Sequence, residues 1–435
     1  GTRVVYPAED GSLWIGSGVG GLARFRPVRF RYLGEEEGLG DREVLTLTTL
    51  RDSRVLFTPY GGGLKYFDGT STVRPVALSA PTTPMFRAVL RAHDDAIWLG
   101  AFSKGLWRLD GTMLTPEATA IFDSTETINT LFEDSRHRLW VGGDRHVAVR
   151  EGTTFRTVMA VADEHARRPT LFAERRDGTQ LLARYHEIFA FDGTGLRTEP
   201  ILRLPADWRI STLLADARDR IWIGTIGHGL SVWHEGKLLR LHPDRGLPGA
   251  AIGALVQDAQ GSLWFGSGRN VVRADPEELW AMALDRTREP TFQIFDRDDG
   301  MRDLDFPYGT QPNVARDERG RLWFALIRGA AMVDPATLKL NDRPPKVVVE
   351  SISFVPDGAT RPVELTVSPD QPVPVLPAGS RMIRISYAAL DFFAPRKQRF
   401  RVRLGGDNAE WQDMQRETNV SFLELPPGRH TIQIQ

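Results

Sequence analysis

The sequence predicts an all-β fold: a β-propeller, with a seven-bladed ring expected and eight repeats visible, followed by an immunoglobulin- or fibronectin-like β-sandwich. Three observations carry this. A motif bearing tryptophan and glycine returns eight times along the 435 residues. Each period reads as four short strands joined by polar turns, with no 3.6-residue periodicity. Beyond residue 342 the repeat stops and apolar residues alternate in period two. Residues 1–342 are therefore assigned to the propeller and 343–435 to the sandwich.

The repeat comes first. "EDGSLWIGSGVGGL" returns as "HDDAIWLGAFSKGL", "DSRHRLWVGGDRHV", "DARDRIWIGTIGHGL", "DAQGSLWFGSGRNV" and "DERGRLWFALIRGA". Two degraded copies place leucine in the tryptophan slot. The slot falls at Trp14, Leu56, Trp98, Trp140, Leu181, Trp222, Trp264 and Trp323, at intervals of 42, 42, 42, 41, 41, 42 and 59 residues. A fixed period near this length marks stacked or radial arrays.

Within one period, Ile210 to Ala215 is a β-branched apolar run, Asp216 to Arg220 a polar turn, and Ile221 to Gly224 a second strand. Gly227 and Gly229 allow a reversal, Leu230 to Trp233 makes a third strand, and Leu238 to Leu241 a weaker fourth. Four antiparallel strands per repeat describe a propeller blade. The glycines are read as turn residues and the tryptophan as packing between blades. A phosphate loop is excluded, because that motif leads from a strand into a helix and occurs once.

Composition narrows the function. Net charge is −1 and basic residues form no stripe, so nucleic acid is not an expected partner. There is no cysteine, hence no disulfide framework and no thiolate metal site. No run of about 18 apolar residues and no leader-like start is visible, so the chain as it stands is expected to be soluble. The nine histidines are scattered rather than spaced as ligands, and neither a metal nor a cofactor is expected.

The sandwich strands are read in "RMIRISYAALDFFAP", "QRFRVRLGGDNAEWQD" and "NVSFLELPPGRHTIQIQ", after a boundary at Pro344-Pro345. One feature interrupts the repeat. In "ADPEELWAMALDRTREP", Asp275 as N-cap, Pro276 at the first helical position and Glu277-Glu278 in the first turn predict a short helix. Leu279, Trp280 and Ala283 would form its apolar side. It is read as a strut on the ring edge or sandwich junction, with coupling between ring and sandwich as the sharper alternative.

The pattern of aspartate, turn, Leu/Ile-Trp-Ile/Val/Phe-Gly and a later glycine pair resembles the two-component regulator propeller repeat. The stretches "EGLGDREV" and "RGLPGAAI" resemble that family's connector between blades. The tail resembles the triple-tyrosine domain that follows such propellers, through Tyr387 to Asp391, Phe400 to Gly405, Trp411 and Leu425 to Gly428. It keeps Tyr387 but carries Val402 and Phe422 near the other eponymous positions, which preserves a core role and no phenol chemistry. The resemblance implies the extracytoplasmic, periplasmic sensor region of an inner-membrane signalling protein, most often a histidine kinase and sometimes a diguanylate cyclase. Catalysis would then lie outside this chain. It also implies a homodimer in the full-length protein, membrane attachment through a segment absent here, and a chain cut at both ends. Residues 1–41 would be the last blade of a preceding ring; a single eight-bladed ring is the alternative.

In a four-stranded blade, the turn between the second and third strands opens on the same ring end as the connector to the next blade. Those turns carry Tyr60, Phe102, Ser103, Lys104, Asp144, Arg145, His146, Arg184, Tyr185, His186, His228, Arg269, Asn270 and Arg328. Arginine, histidine and aromatic side chains around a pore suit stacking on sugar rings and hydrogen bonding to carboxylates or hydroxyls. An oligosaccharide or other small molecule is therefore the expected ligand. The opposite end is rich in aspartate turns, where the acid holds its own backbone. A secreted propeller enzyme, a polysaccharide lyase or glycosidase, is the alternative, and a protein-interaction scaffold a third reading. Only Asp144 and Glu187 are acidic on the pore side, so the facing carboxylates of a glycosidase are missing. Tyr185 and His186 would be the acid–base pair of a lyase.

Overall fold

The computed structural model describes residues 2–7, 12–25, 27–40, 43–79, 83–117, 119–161, 169–241, 243–285, 287–288, 292–338, 346–368, 374–390, 400–405 and 409–435. The expected boundary at Pro344-Pro345, Asp391 of the tail motif and Glu9 of the first repeat lie outside the described residues. The chain divides into two units: Val28–Leu338, and Gly1–Pro27 together with Lys339–Gln435.

Seven four-stranded antiparallel sheets build the first unit. Their opening strands are Val44–Thr49, Phe86–Arg91, Ile128–Glu133, Thr170–Glu174, Ile210–Ala215, Ile252–Gln257 and Val314–Arg316, which define blades 1 to 7. Each of these strands touches the next, and the seventh touches the first. The unit is a closed seven-bladed propeller with these strands innermost.

Where the eighth repeat goes follows from strand pairing. Its hairpin forms a separate three-stranded sheet, β1 (Thr2–Pro7), β2 (Leu13–Ser17) and β3 (Gly21–Phe25), in the second unit. Its fourth strand, β4 (Phe30–Leu33), pairs antiparallel with Gly329–Val333 and completes blade 7. The ring is thus clasped by its own N-terminal strand. Eight tryptophan slots produce seven blades because the first repeat is divided after its third strand.

The tryptophans pack forward into the following blade, as the sequence indicates. Trp140 lies against Phe172 and Phe191 of blade 4, and Trp323 against Phe57 and Phe67 of blade 1, which seals the ring a second time. Four of the indole N–H groups are also fixed. The Oδ2 atoms of Asp134, Asp216, Asp258 and Asp317 accept from Trp140, Trp222, Trp264 and Trp323 at 2.8, 2.8, 2.7 and 3.0 Å. The same acids accept two turn N–H groups through Oδ1, as Asp216 does from Arg218 and Arg220. Arg138, Arg220 and Arg321 complete the lock, each at 2.7 Å from its aspartate and over the face of its tryptophan. Blades 1 and 4 lack indole and acid together, with Leu50 and Leu56 in one and Arg175 and Leu181 in the other. Blade 2 separates the two: Trp98 is kept and buried while Ala92 stands in the acid's position, so the indole packs there without this lock.

The motif's glycines are not all turn residues. The one two residues after the tryptophan, replaced by Ala325 in the last repeat, lies in the second strand, as read at Gly224. Gly142 lies inside a strand, and a Cβ there would sit 2.1 Å from Thr130 Oγ1 and 3.1 Å from the Thr170 carbonyl. It is glycine because Thr130 of its own blade's innermost strand and the Thr170 carbonyl of the following blade's leave no room for a side chain. Gly227 and Gly229, with φ of 96° and 80°, are turn residues as read.

The interval of 59 residues is lengthened by one insertion, between the third and fourth strands of blade 6. The helix Pro276–Leu284 starts as predicted, with Asp275 accepting from the Glu277 N–H. It packs Leu279 and Met282 inward along the outermost strand of blade 5, Lys237–Leu241, and Glu277 holds Arg220 at 2.8 Å. It is a strut on the ring edge. Residues 307–313, which lead into the short innermost strand of blade 7, enter the central channel.

The second unit also contains two sheets of a β-sandwich. Val363–Thr366, Lys346–Val355, Arg381–Leu390 and Asn419–Glu424 form one, in that order; Gln412–Gln415, Phe400–Leu404 and Ile432–Ile434 form the other. Phe354, Ile383, Ile385, Tyr387, Phe400, Val402 and Val420 fill the core, with Phe422 packed against it. Tyr387 meets Phe400 edge-on at 5.1 Å.

Candidate ligand-binding mouth

Hydrogen bonds place the second-to-third-strand turns at one end of the ring, beside the starts of the innermost strands. Backbone N–H groups of Tyr60, Phe102, Asp144, Ile226, Gly268 and Ile327 donate to carbonyls of Glu43, Met85, Thr127, Arg209, Ala251 and Asp305. The turn residues are therefore on a common rim. Their side chains fall into separate clusters, one per blade, rather than one convergent site.

Tyr60 and Phe102 are each 49% exposed and Tyr185 37%, so the rim does offer aromatic surface. Lys104 and Arg328 point to solvent, although their carbonyls are used by Trp107 Nε1 and Tyr32 Oη. Arg269 is exposed and 3.6 Å from Asp305. Asn270 folds back on the Ser267 carbonyl. His228 stacks flat on Trp208, with centroids 5.0 Å apart, and the Arg240 guanidinium lies 4.8 Å from the same indole.

Arg145 and His146 are engaged by acids of their own blade's approach loop. Arg145 donates to Asp123 at 2.7 Å and to Thr125 at 3.1 Å. His146 Nδ1 lies 2.8 Å from Glu126, a fully buried carboxylate that also accepts the backbone N–H of both Arg145 and His146. Asp123 is held below the ordinary carboxylate range by its Thr125 and Arg145 hydrogen bonds. Arg184 is buried, 3.4 Å from Thr170 Oγ1, rather than presented on the rim. Tyr185 adopts φ of 56° and sets its ring edge-on to His186, whose Nδ1 is buried without a hydrogen-bond partner.

Closer to the axis, the structure adds residues the motif did not point to. In five blades a one-residue bulge interrupts the innermost strand near its start, at Leu45, Arg87, Asn129, Ser211 and Ala254. A bulge leaves backbone groups unpaired and turns its side chain out of the strand's alternation. Arg87 consequently reaches the next blade's bulge and donates to Asn129 Oδ1 at 2.6 Å. Burial raises the Glu43 carboxyl above its ordinary value against the pull of Arg87, and burial lowers Arg87.

Residues 307–313 take up the freed backbone. Gln311 N–H donates to the Asn129 carbonyl, Leu131 N–H to the Gln311 carbonyl, and Leu47 N–H to the Pro312 carbonyl. Thr310 Oγ1 donates to the Leu45 carbonyl at 2.9 Å. The Gln311 amide pairs with both backbone groups of Phe172 at 2.8 and 2.9 Å. One segment therefore plugs the channel and ties blades 1, 3 and 4 together. Beside it lies a cavity of about 320 Å³, lined by Phe132, Phe172, Leu213, Leu255, Gln311 and Asn313 among others.

Comparison with known proteins follows this geometry. The family model of the two component regulator propeller matches residues 246–269, which cover the connector and first hairpin of blade 6. No curated protein matches the chain by sequence. Among solved structures, the extracellular domain of the hybrid two component system BT3049 from B. thetaiotaomicron aligns over 100% of this chain and 59% of its own, at 15% identity and a TM-score of 0.73. The extracellular domain of the hybrid two component system BT4673 from the same organism aligns over 99% of this chain and 59% of its own, at 12% identity and a TM-score of 0.51. A catalytically inactive histidine-to-alanine variant of virginiamycin B lyase from Staphylococcus aureus, solved with quinupristin, aligns over 70% of this chain and 98% of its own, at 11% identity and a TM-score of 0.54. This chain spans about three-fifths of the length of the first two. Among the described residues no helix is long and apolar enough to cross a membrane.

Proposed function

We propose that this chain is the extracytoplasmic ligand-sensing region of a transmembrane signalling protein, a two-component sensor histidine kinase. The observation that carries the reading is the alignment of the whole chain, ring and sandwich together, with the extracellular domain of a two component system. The repeat matched in blade 6 supports it. In this reading the sandwich is the triple-tyrosine domain, it relays a change in dimer geometry, and the kinase lies outside the chain.

The ligand would be an acidic oligosaccharide bound over the mouth on the side of blades 1 to 3. There Tyr60 and Phe102 present exposed rings, and Glu43, Arg87 and Asn129 form a half-buried polar floor. Arg145 and His146 would frame the floor through Glu126 rather than donate freely. The test is calorimetry with a panel of uronic-acid oligosaccharides. Binding should weaken at least tenfold in Tyr60→Ala and in Arg87→Gln. Unchanged affinity in both would remove the site; no binding by any oligosaccharide would remove the ligand class.

The second reading, a propeller lyase, is favoured by one observation: His186 has an unpartnered Nδ1 against Tyr185. Depolymerisation of a glycan by purified protein, abolished in His186→Ala, would establish it over the sensor.

A further inference from the structure

We propose that His93, His137 and Glu133 form a binding site for a borderline divalent metal ion, with zinc the natural occupant, on the ring end opposite the mouth. His93 belongs to the first-to-second-strand turn of blade 2; Glu133 ends the innermost strand of blade 3, and His137 sits in the turn that follows it. One donor atom from each lies within 4.8 Å of the others. His93 Nδ1 is 2.6 Å from Glu133 Oε1, and the two imidazoles stack with centroids 4.0 Å apart.

A bland account covers part of this. The turn of one blade regularly reaches the end of the next blade's innermost strand. Ser135 does so on Glu174, through its N–H at 2.8 Å and its hydroxyl at 2.6 Å. Glu133 likewise accepts the His93 N–H. A clasp between blades therefore needs a glutamate and a backbone N–H, and it needs no histidine. In the neighbouring clasp the positions matching His93 and His137 are Ser135 and Gly178. The imidazoles are additions to the clasp.

His137 is also an uncomfortable choice for its position. Its φ is 60°, in the left-handed region. The equivalent residues of the other blades are Ser53, Asp95, Gly178, Asp219, Gly261 and Gly320, all small or turn-forming and all with positive φ. A bulky ring held there is the kind of local strain found at functional sites. Two imidazoles and a carboxylate are the donor set of open zinc sites, with a fourth position left for water. Bond lengths of about 2.0–2.2 Å require donors roughly 3.3 Å apart, so closure around an ion asks the most distant donors, up to 4.8 Å apart, to approach and His93 Nδ1 and Glu133 Oε1, now 2.6 Å apart, to part slightly. The sequence hides the site because the two histidines lie one blade apart; the radial stacking of the repeat brings them together.

The experiment uses the whole chain, stripped with chelator and titrated with zinc chloride at pH 7.5 by calorimetry, with copper(II) electron paramagnetic resonance as a second readout. One equivalent should bind with micromolar affinity or better, and the copper signal should show nitrogen ligation. His93→Ala and His137→Gly should each weaken zinc binding at least tenfold. His137→Gly is the decisive variant, because glycine suits that turn: the metal-free protein should melt at the same or a higher temperature while zinc binding is lost. His228→Ala, on the other ring end, should bind as the parent does. Absence of binding at 0.2 mM zinc, or full affinity in the His93→Ala/His137→Gly double variant, would overturn the site.

Discussion

Replacing Asp216 by alanine tests the physical meaning of the repeat. The Asp216 side chain is 1% exposed and holds four donors: Trp222 Nε1 at 2.8 Å, Arg220 Nε at 2.7 Å, and the N–H groups of Arg218 and Arg220 at 2.9 and 3.0 Å. Alanine leaves the buried indole N–H and an almost fully buried guanidinium without this acceptor. Breaking a buried ion pair by removing one partner costs about 3–5 kcal/mol. Arg220 keeps Glu277 of the edge helix at 2.8 Å, which puts the expectation at the lower end, about 3 kcal/mol. Asp94 is the internal control. It occupies a comparable turn but accepts only the Ala96 N–H, in a blade where Ala92 stands in the acid's position. Asp94→Ala should cost less than about 1 kcal/mol. Urea unfolding followed by tryptophan fluorescence and far-ultraviolet circular dichroism measures both. If the two variants differ by less than about 0.5 kcal/mol, the aspartate–indole–arginine lock is not what the repeat preserves. A double-mutant cycle sharpens the result. Asp216→Leu with Trp222→Leu imitates blade 1, and its cost should fall short of the summed single costs by at least about 1 kcal/mol.

Further outcomes follow from the channel, the mouth and the sandwich. Gln311→Ala removes both amide bonds to Phe172 and should destabilise the ring by about 2 kcal/mol, with faster hydrogen exchange at the Phe172 amide as the local readout. Glu43 has a folded pKa raised by burial, so its protonated form favours folding; that contribution is present below the ordinary carboxylate range and is lost as pH rises through the raised value. Stability of Glu43→Gln measured against pH should therefore lack this decline, and curves that run parallel would contradict the assignment. Tyr387 has a buried hydroxyl without a partner, so Tyr387→Phe should leave the melting temperature unchanged or raise it; a clear loss would mean that the hydroxyl is bonded in solution.

The architecture was legible because it repeats. Tryptophan at a fixed period, an aspartate before it and paired glycines after it show a blade without any structure. What they could not show is register between repeat and blade. Only the pairing of Phe30–Leu33 with Gly329–Val333 reveals that the first repeat lends its last strand to blade 7. The helix at Pro276 was legible from its cap, since capping is local. The channel segment was not, since nothing in Pro307 to Asn313 has a strand pattern and its partners lie on blades 1, 3 and 4. The rim residues were found as a set because turns follow the slot, yet their roles were not. Arg145 is engaged by Asp123 and Arg184 is buried, both through partners that the motif does not contain.

The bulges connect these points. A propeller whose innermost strands were perfectly regular would expose a uniform wall to its channel, with side chains set by alternation alone. One extra residue in each of five innermost strands breaks that uniformity, in matching register in four and one residue further along at Ala254. It frees carbonyls at Leu45 and Asn129, which Thr310 and Gln311 then satisfy, so the plug is held by the defect and not by an edge. It also turns Arg87 and Asn129 toward each other, so that polar chemistry gathers on the side of blades 2 and 3, while Leu45 and Ala254 keep the bulges of blades 1 and 6 apolar. Asymmetry in a symmetric frame is what a mouth needs in order to prefer one ligand orientation. Here it arises from which residue occupies the bulge, a position that the tryptophan and glycine pattern leaves free to vary.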